Sequence, residues 1–328
     1  MTDLSKVNSS WPASHIPQNM HEFSHLNDNL LPFFKSLFAQ EQIELSSSFL
    51  KAIKQLYIPF CAWLSNKQKN EALIIGINGS QGSGKSTLTK ILSLILEQGF
   101  NKKVVSFSID DLYKSSVQRQ ELAKTVHPLL ATRGAPGTHD VDLGISILNH
   151  IRHKNPAELL IPEFDKSLDD RLPVTSWKKF TGTCDIVLFE GWCVGAIAQE
   201  KQALITPVNE LEKKADPDGV WRRYTNNQLN EIYSDLFSLI DILVMLKIPD
   251  FNKVYEWRKL QEHKLRTSTD EDDKDKNKTM TDLEVENFIM HYERITRHTL
   301  NEMPERSDIV FELGNNHQVK NIITRCEA

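Results

Sequence analysis

The sequence has few cysteines, no closely spaced cysteine pair and no long apolar run. Its four cysteines, Cys61, Cys184, Cys193 and Cys326, are scattered along the chain without a C-x-x-C spacing, so neither a disulfide framework nor a zinc site is expected. The first residues lack the basic start and apolar core of a secretory signal, and no later run is long enough to cross a bilayer. These absences predict a cytoplasmic protein with reduced, mostly buried thiols.

An excess of positive charge is also absent. The 328 residues include 39 Lys and Arg against 44 Asp and Glu, which gives a formal net charge of −5. This balance provides no general attraction to nucleic acid or to an anionic membrane, so neither is expected as a partner. With 40% hydrophobic residues the chain can still bury a substantial core, which excludes a disordered protein.

Five short runs rich in Ile, Val, Leu and Phe predict buried strands. These runs are Ala72 to Asn78, Val104 to Ile109, Ile186 to Phe189, Ile240 to Leu246 and, shorter than most, Ile309 to Leu313. The segments between them carry apolar residues at three- and four-residue spacing, as between Leu88 and Leu96, which is typical of amphipathic helices. Strands that are apolar on both faces and alternate with helices predict an α/β fold with a mainly parallel sheet covered on both sides.

The chain before the first strand is predicted to be helical. Between Glu41 and Trp63, apolar residues such as Leu45, Phe49 and Ile53 recur at helical spacing. We expect residues 1–70 to form a helical N-terminal extension packed on a domain of residues 71–328. No recognisable chemistry lies in that extension.

A dense mixed-charge run, STDEDDKDKNKTMT, extends from Ser268 to Thr281 and contains no core residues. One interpretation is a solvated loop. The other is the tip of a mobile lid over about residues 255–285, because basic residues, among them Arg258, Lys264 and Arg266, precede the run. Both interpretations stay open at this point.

A phosphate-binding loop is predicted after the first strand. The segment GSQGSGKS matches the pattern G-x-x-x-x-G-K-[ST], follows a predicted strand and opens a predicted helix, so a chance match in a glycine-rich connecting loop is a poor alternative. Glycines let backbone N–H groups approach phosphates, and the helix N-terminus adds positive potential. The residues expected to bind ATP here are Gly79, Ser80, Gln81, Gly82, Ser83, Gly84, Lys85, Ser86 and Thr87.

Two of these residues, with one later carboxylate, predict a magnesium site. Lys85 is expected to bridge the β- and γ-phosphate oxygens, and Ser86 to ligate Mg²⁺. Glu190 directly follows the predicted strand Ile186 to Phe189, where it could hold the ion through a water. An ordinary strand-end carboxylate is the alternative for Glu190, although the glycine after it allows close approach to a nucleotide.

A second pair of carboxylates, Asp110 and Asp111, follows the strand that begins at Val104. The carboxyl ends of strands in open α/β sheets point into the crevice where ligands bind. One member of the pair is therefore a candidate general base for a hydroxyl acceptor, while the other is a candidate helix N-cap. The residues alone leave open which is which.

Several segments together resemble the P-loop kinases that include uridine kinase, phosphoribulokinase, bacterial pantothenate kinase and D-glycerate 3-kinase. They are GSQGSGKST, SIDDLY, TRGAPGTHD, LLIPEFDKSLDDR and DIVLFEGW, and within the group they are most similar to the plant and fungal type of D-glycerate 3-kinase. The resemblance extends from about Ala72 to the C-terminus. It implies a P-loop NTPase fold of three α/β/α layers, a five-stranded parallel sheet in the order 2-3-1-4-5, and Asp110 as the base or metal-facing group with Asp111 as the cap.

The same resemblance identifies an acceptor side. Arg133 to Asp140 fits the family pattern R-G-x-x-G-[ST]-H-D, and Pro162 to Ser167, with Asp170 and Arg171, fits P-x-[FY]-D-K-S ending in D-R. A small acid with two hydroxyls needs cations for its carboxylate and polar groups for its hydroxyls. The residues expected to bind the acceptor are Asp110, Tyr113, Arg133, His139, Asp140, Lys166 and Arg171. The alternatives are surface ion pairs for the basic residues and a structural hydrogen bond for His139.

A helix further on completes the resemblance. Tyr255 to Glu262 reads YEWRKLQE and resembles the family's [YK]-W-R-L-Q-A-E helix, with Lys259 inserted. It implies that Arg258 contacts the nucleotide. The charged loop that follows has its own composition. Trp192 is expected to form a wall of the pocket rather than to react.

The sequence therefore predicts an ATP- and Mg²⁺-dependent kinase for a small hydroxy acid, with Asp110, Lys85 and Glu190 as catalytic residues. The resemblance implies that the acceptor is D-glycerate and the product 3-phosphoglycerate. Pantothenate or a nucleoside is an alternative acceptor; no aromatic-rich pocket is evident in the sequence, which weakly disfavours pantothenate. From another class, an ATP-binding regulatory protein without small-molecule kinase activity would keep the same fold and nucleotide loop. Oligomeric state is not indicated.

Overall fold

The computed structural model describes residues 20–41, 45–153, 158–268 and 280–325. The strands in these ranges are β1 Leu73–Gly79, β2 Val104–Ser108, β3 Leu159–Ile161, β4 Phe164–Asp165, β5 Asp170–Arg171, β6 Lys178–Phe180, β7 Ile186–Gly191, β8 Ile242–Lys247, β9 Ile309–Leu313 and β10 Val319–Thr324. The α-helices are α1 Met20–Gln40, α2 Ser47–Ala52, α3 Ile58–Lys67, α4 Lys85–Leu94, α5 Ser116–Thr125, α6 Val141–Arg152, α7 Glu210–Ala215, α8 Val220–Asn230, α9 Ile232–Phe237, α10 Asn252–Ser268 and α11 Asp282–Arg306. Within the described ranges, no helix is both long enough and apolar enough to cross a membrane.

Six of the strands form one central sheet in the order β2-β7-β1-β8-β9-β10. Five of them, β2, β7, β1, β8 and β9, are parallel to one another. When these five strands are numbered by their order in the chain, their order across the sheet is 2-3-1-4-5. The predicted P-loop NTPase fold is therefore confirmed. The expectation of five strands was one short, because β10 adds to β9 in the antiparallel sense. The β10 sequence, VKNIIT, is only partly apolar and partly exposed, as an edge strand allows, so it does not form the continuous apolar run that predicts a buried strand.

The central strands bury both of their faces. Ile75 and Ile77 of β1 belong to a core that they share with side chains of α1, α3 and α4. Ile74, which precedes Ile75 and points to the opposite face, belongs to a second core built with α6, α8 and α9. Residues of a strand alternate between the two faces of a sheet, so the two cores give the three layers of helix, sheet and helix.

The N-terminal helices supply part of the first core. The ring of Phe60 in α3 meets the ring of Phe311 in β9 edge-on, with centroids 5.6 Å apart, and both side chains are fully buried. Phe34 of α1 is buried in the same core. That residues 1–70 form one extension packed on a domain of residues 71–328 stays a prediction, and residues 1–19 and 42–44 lie outside the described ranges.

The register of three central strands determines where the site lies. Ile77 of β1, Glu190 of β7 and Ser108 of β2 are side by side in one row across the sheet. The chain that follows β1 and the chain that follows β2 therefore emerge at the same edge as Glu190. That edge is the carboxyl end of the parallel sheet, which is where open α/β sheets bind ligands.

The packing of α3 on the sheet leads to a stability prediction. Phe60→Ala is expected to lower the free energy of unfolding by about 3–5 kcal/mol, because the cavity under a fully buried ring cannot be filled. Phe33→Ala in α1 is the control; its side chain is 47% exposed, and the change should stay below about 0.5 kcal/mol. Urea denaturation measures both variants. Equal stability of the two would contradict the view that the N-terminal helices complete the core.

Candidate active site

The loop between β1 and α4 is shaped to hold phosphate. Gly82 and Gly84 have φ angles of 77° and 88°, a region that residues with a side chain rarely adopt. A Cβ at Gly82 would also lie 2.9 Å from the Cβ of Trp257. The chain enters α4 at Lys85, and the unpaired N–H groups of a first helical turn favour an anion there.

The C-terminal hairpin holds the outer side of this loop. His317, in the turn between β9 and β10, lies with Nε2 2.9 Å from the carbonyl oxygen of Gly82. Since a carbonyl can only accept, Nε2 donates. The His317 ring stacks on Trp257 of α10 with centroids 3.9 Å apart, so the hairpin joins the start of α10 to the phosphate-binding loop.

The residues expected to hold magnesium lie together. The Ser86 hydroxyl donates to Oε1 of Glu190 at 2.7 Å, and Nζ of Lys85 lies 4.0 Å from Oε2. Glu190 is only 6% exposed, and its buried Oε2 has no hydrogen-bond partner among the described residues. A buried carboxylate oxygen without a donor fits a hard cation or its water, and Mg²⁺ bound with a nucleotide needs only one or two protein ligands.

The two aspartates after β2 have different surroundings. Asp111 folds back as a cap, with Oδ2 accepting from the Ser108 amide at 2.9 Å, and burial raises its pKa to about 6. Asp110 instead faces the pocket, where its Oδ2 lies 2.7 Å from Nζ of Lys166. Burial acts to raise the pKa of Asp110, but the charges of Lys166 and Lys85 outweigh it and hold that pKa well below its usual range. The geometry thus matches the assignment of Asp111 as the cap.

A small pocket of about 70 Å³ is lined by both Lys85 and Asp110. Among the residues proposed from sequence, it is lined by Gln81, Lys85, Asp110, Tyr113, Arg133, Lys166 and Arg258. The remaining wall is aromatic and consists of Trp192, Phe288 and Tyr292. Trp192 was expected as a wall, whereas the two rings from α11 were not foreseen.

The α11 rings reach the pocket because a glycine lets them approach. The Tyr292 hydroxyl donates to the carbonyl oxygen of Arg133 at 3.2 Å. A Cβ on Gly134, the next residue, would lie 2.3 Å from that hydroxyl oxygen. The spacing of Phe288 and Tyr292 is that of an ordinary buried helix stripe, so the only sequence signal for their role is the glycine after Arg133.

His139 lies behind the pocket rather than in its lining. It is 1% exposed, stacks on the Tyr113 ring with centroids 4.4 Å apart, and has Nδ1 2.6 Å from the Tyr233 hydroxyl. That hydroxyl also accepts from the Gly137 amide at 2.9 Å, so Tyr233 ties His139 to the loop that precedes it. Burial lowers the pKa of His139 to about 3, and the imidazole is therefore neutral.

Asp140 and Arg171 are also outside the pocket lining. Asp140 caps α6 through the Leu143 amide, and its Oδ2 accepts from Nη1 of Arg171 at 3.0 Å. The Arg171 guanidinium lies over the ring of Trp177. Of the basic residues expected on the acceptor side, Arg133 and Lys166 line the pocket, whereas Arg171 does not.

The hairpin of β4 and β5, which carries Lys166, is anchored by Asp169. The Asp169 carboxylate accepts from Arg133 and, at 2.7 Å, from Nη2 of Arg119. Arg119 is fully buried. Sequence reasoning did not find Arg119, because a lone Arg in a polar helix gives no sign that it is buried.

Arg258 of α10 lines the pocket and is held there by neighbouring residues of its own helix. It donates to Gln261 at 2.9 Å and pairs with the buried Glu262. Glu262 also accepts from the Met280 amide at 3.1 Å, which links α10 to the start of α11. Most of the charged run, residues 269–279, lies outside the described residues.

The chain is similar in sequence to known kinases. No family model matches the chain. It is 36% identical over 234 residues to an uncharacterized kinase of Schizosaccharomyces pombe, which covers 69% of this chain and 80% of the relative. It is 28% identical over 276 residues to the chloroplastic D-glycerate 3-kinase of Arabidopsis thaliana, which covers 78% of this chain and 56% of that protein.

A solved structure supports the fold. The D-glycerate 3-kinase of Cryptococcus neoformans superposes with a TM-score of 0.67 at 24% identity, and the match covers 83% of this chain and 98% of the other. At that identity the likeness concerns the fold. The sequence relatives and the phosphate-binding loop together lead further: the chain belongs to the P-loop kinase group that contains D-glycerate, pantothenate and uridine kinases, and it is an ATP-using phosphotransferase for an alcohol group of a small molecule.

Proposed function

We propose that the acceptor is a small hydroxy acid, D-glycerate, and that the product is 3-phosphoglycerate. The observation that carries this proposal is the pocket of about 70 Å³ in which Asp110 lies among Lys85, Arg133 and Lys166. Pockets for drug-sized ligands measure about 300–1,000 Å³, so the small volume favours a three-carbon acid. The likeness to a D-glycerate 3-kinase favours the same acceptor, and the choice of hydroxyl rests on that likeness.

In this proposal Asp110 accepts the proton of the acceptor hydroxyl. As the acceptor oxygen bonds to the γ-phosphorus, the bond from that phosphorus to the bridging oxygen breaks and ADP leaves. General-base help of this kind is typically worth about 10²–10⁴-fold. Asp111 is unsuited to the task because its carboxylate is turned back onto the Ser108 amide.

Lys85, Ser86 and Glu190 are proposed to hold the donor side. Lys85 would bind the β- and γ-phosphates, Ser86 would ligate Mg²⁺ through its hydroxyl, and Glu190 would hold the ion through a water. Mg²⁺ would supply neutralisation of charge on the phosphates, which with positioning is most of what phosphoryl transfer requires. The contact between Ser86 and Glu190 at 2.7 Å supports a shared site.

Arg133 and Lys166 are proposed to bind the acceptor carboxylate, with Tyr113 forming the floor. His139 would support Tyr113 from behind through their stacked rings. The pair of Asp140 and Arg171 would support the hairpin, because Arg171 belongs to β5 and Asp140 caps α6. These supporting roles replace direct contact with the acceptor for three of the seven residues predicted from sequence.

The region of about residues 255–285 is proposed to act as a lid. Arg258 would contact the nucleotide, since it lines the same pocket as Lys85. Closure would exclude water that could otherwise take the phosphoryl group. Because Glu262 contacts both Arg258 and the Met280 amide, α10 and the start of α11 would move as one unit when the lid closes.

Pantothenate is the second candidate acceptor. The sequence shows no aromatic-rich pocket, yet three aromatic rings, Trp192, Phe288 and Tyr292, line this one. Such a wall would suit an apolar part of a longer acceptor. The small volume argues the other way, and turnover assays distinguish the two.

The proposed acceptor is tested by ADP release with Mg-ATP and one acceptor at a time: D-glycerate, L-glycerate, pantothenate and uridine. D-glycerate is expected to give the highest kcat/KM, because the pocket offers cations for its carboxylate and Asp110 for its hydroxyl. Preference for pantothenate or uridine would refute the proposed acceptor. A lack of stimulation by all four would favour a regulatory ATP-binding protein.

The proposed base is tested by two neighbouring substitutions. Asp110→Asn is expected to lower kcat by about 10²–10⁴-fold while ATP affinity stays within about twofold, because only proton acceptance is lost. Asp111→Asn is the matched control and should keep kcat within about tenfold. Rapid-quench kinetics and nucleotide titration measure these effects. Comparable losses in the two variants would be inconsistent with a base at position 110.

The raised pKa of Asp111 predicts a pH dependence of stability. Its folded pKa of about 6 lies above the ordinary 3.8, so the protonated form stabilises the fold and that contribution is lost as pH rises through 6. Between pH 5 and pH 8 the group should cost about 1.4 kcal/mol of unfolding free energy. In Asp111→Asn this loss should be absent, because an amide does not ionise. Urea denaturation at pH 5 and pH 8 measures the unfolding free energy of both proteins. If wild type and Asp111→Asn lose the same amount of unfolding free energy between these pH values, the pKa of Asp111 is not raised.

A further inference from the structure

The carboxylate proposed as the base is covered by a lysine. Nζ of Lys166 lies 2.7 Å from Oδ2 of Asp110, as both a hydrogen bond and an ion pair. A carboxylate held in this way is a weak proton acceptor, because its electron pairs are engaged by a cation. The ammonium must leave Asp110 before a hydroxyl can take its place.

Lys166 has the freedom to leave. Its side chain is 63% exposed, whereas that of Asp110 is 21% exposed. The hairpin that carries Lys166 is held separately, since Asp169 in its turn binds Arg119 and Arg133. A lysine stem is long and flexible, so its ammonium can move while the hairpin backbone stays in place.

An acceptor that enters the pocket would contact both Lys166 and Asp110. Lys166 and Arg133 line one pocket with Asp110. If the acceptor's carboxylate enters between these two cations, Lys166 can exchange its ion pair with Asp110 for an ion pair with the acceptor. The exchange of one carboxylate for another is close to neutral in free energy, whereas an uncharged acceptor would have to break the pair without replacement.

We propose that Lys166 is a specificity-determining switch: it covers Asp110 until the carboxylate of an acidic acceptor draws it away, so that the group that is recognised also frees the base. This inference rests on the proposed function, in which the acceptor is a hydroxy acid. A hydrogen bond to a charged group is worth about 10- to 150-fold in an equilibrium constant. A neutral polyol of the same length is disfavoured by a factor of that size.

The step balances without a further reactant. Once Lys166 has moved to the acceptor carboxylate, the hydroxyl proton passes to Asp110. The acceptor oxygen then forms its bond to the γ-phosphorus, and the bond from that phosphorus to ADP breaks. Product release lets Lys166 return to Asp110.

Kinetics with D-glycerate and with glycerol, its uncharged counterpart, test the switch. Lys166→Gln is expected to lower kcat/KM for D-glycerate by about 10- to 150-fold, mainly through KM, and to raise kcat/KM for glycerol by at least about tenfold. Lys166→Arg should keep glycerol turnover low, because a guanidinium can re-form the pair with Asp110. Lys179→Gln is the matched control: its side chain is 64% exposed and pairs with Glu158, and both turnovers should be unchanged.

The gain with glycerol is the decisive result, because loss of a merely structural lysine lowers both turnovers. Glycerol turnover that is unchanged or lower in Lys166→Gln overturns the switch. A wild-type protein that does not turn over D-glycerate refutes the proposed acceptor instead. In that case a gain of glycerol turnover in Lys166→Gln still supports the covering of Asp110 by Lys166.

Discussion

The parallel pairing of β7 between β1 and β2 is the constraint on which both halves of the site depend. It aligns Ile77, Glu190 and Ser108 in one row. From that row the phosphate-binding loop and the aspartate pair leave in the same direction, and Glu190 reaches the first turn of α4. Both faces of these strands are buried, so a slip of one residue would turn core side chains to the wrong face. The register that protects the cores therefore also aligns the phosphate-binding loop, Glu190 and the aspartate pair.

The donor half could be predicted because its signal is local. The segment GINGSQGSGKSTLTK contains the end of a strand, a glycine-rich loop, a lysine and the start of a helix in direct succession. Together these form one phosphate-binding motif that a short stretch of sequence identifies. The order of the parallel strands was also foreseen, although only through resemblance. In contrast, β10 was missed because the exposed Lys320 and Asn321 interrupt its apolar residues.

The acceptor half was harder because it is assembled from distant segments whose charges satisfy one another. Tyr292 meets Arg133 across 159 positions of sequence, and nothing near Tyr292 marks it as more than a core residue. In the sequence, Arg133, Lys166 and Arg171 are all simply basic residues. In the structure each pairs with a different carboxylate, and the partners are Asp169, Asp110 and Asp140 respectively. Which cation remains available depends on the geometry of its partner, and a sequence pattern carries no such information.

The contact between His317 and Gly82 joins residues 235 positions apart. A ribosome delivers the glycine-rich loop long before it delivers the hairpin that supports it. Closing a loop of that length costs conformational entropy, and the glycine-rich loop cannot acquire this support until the chain has been synthesised as far as His317.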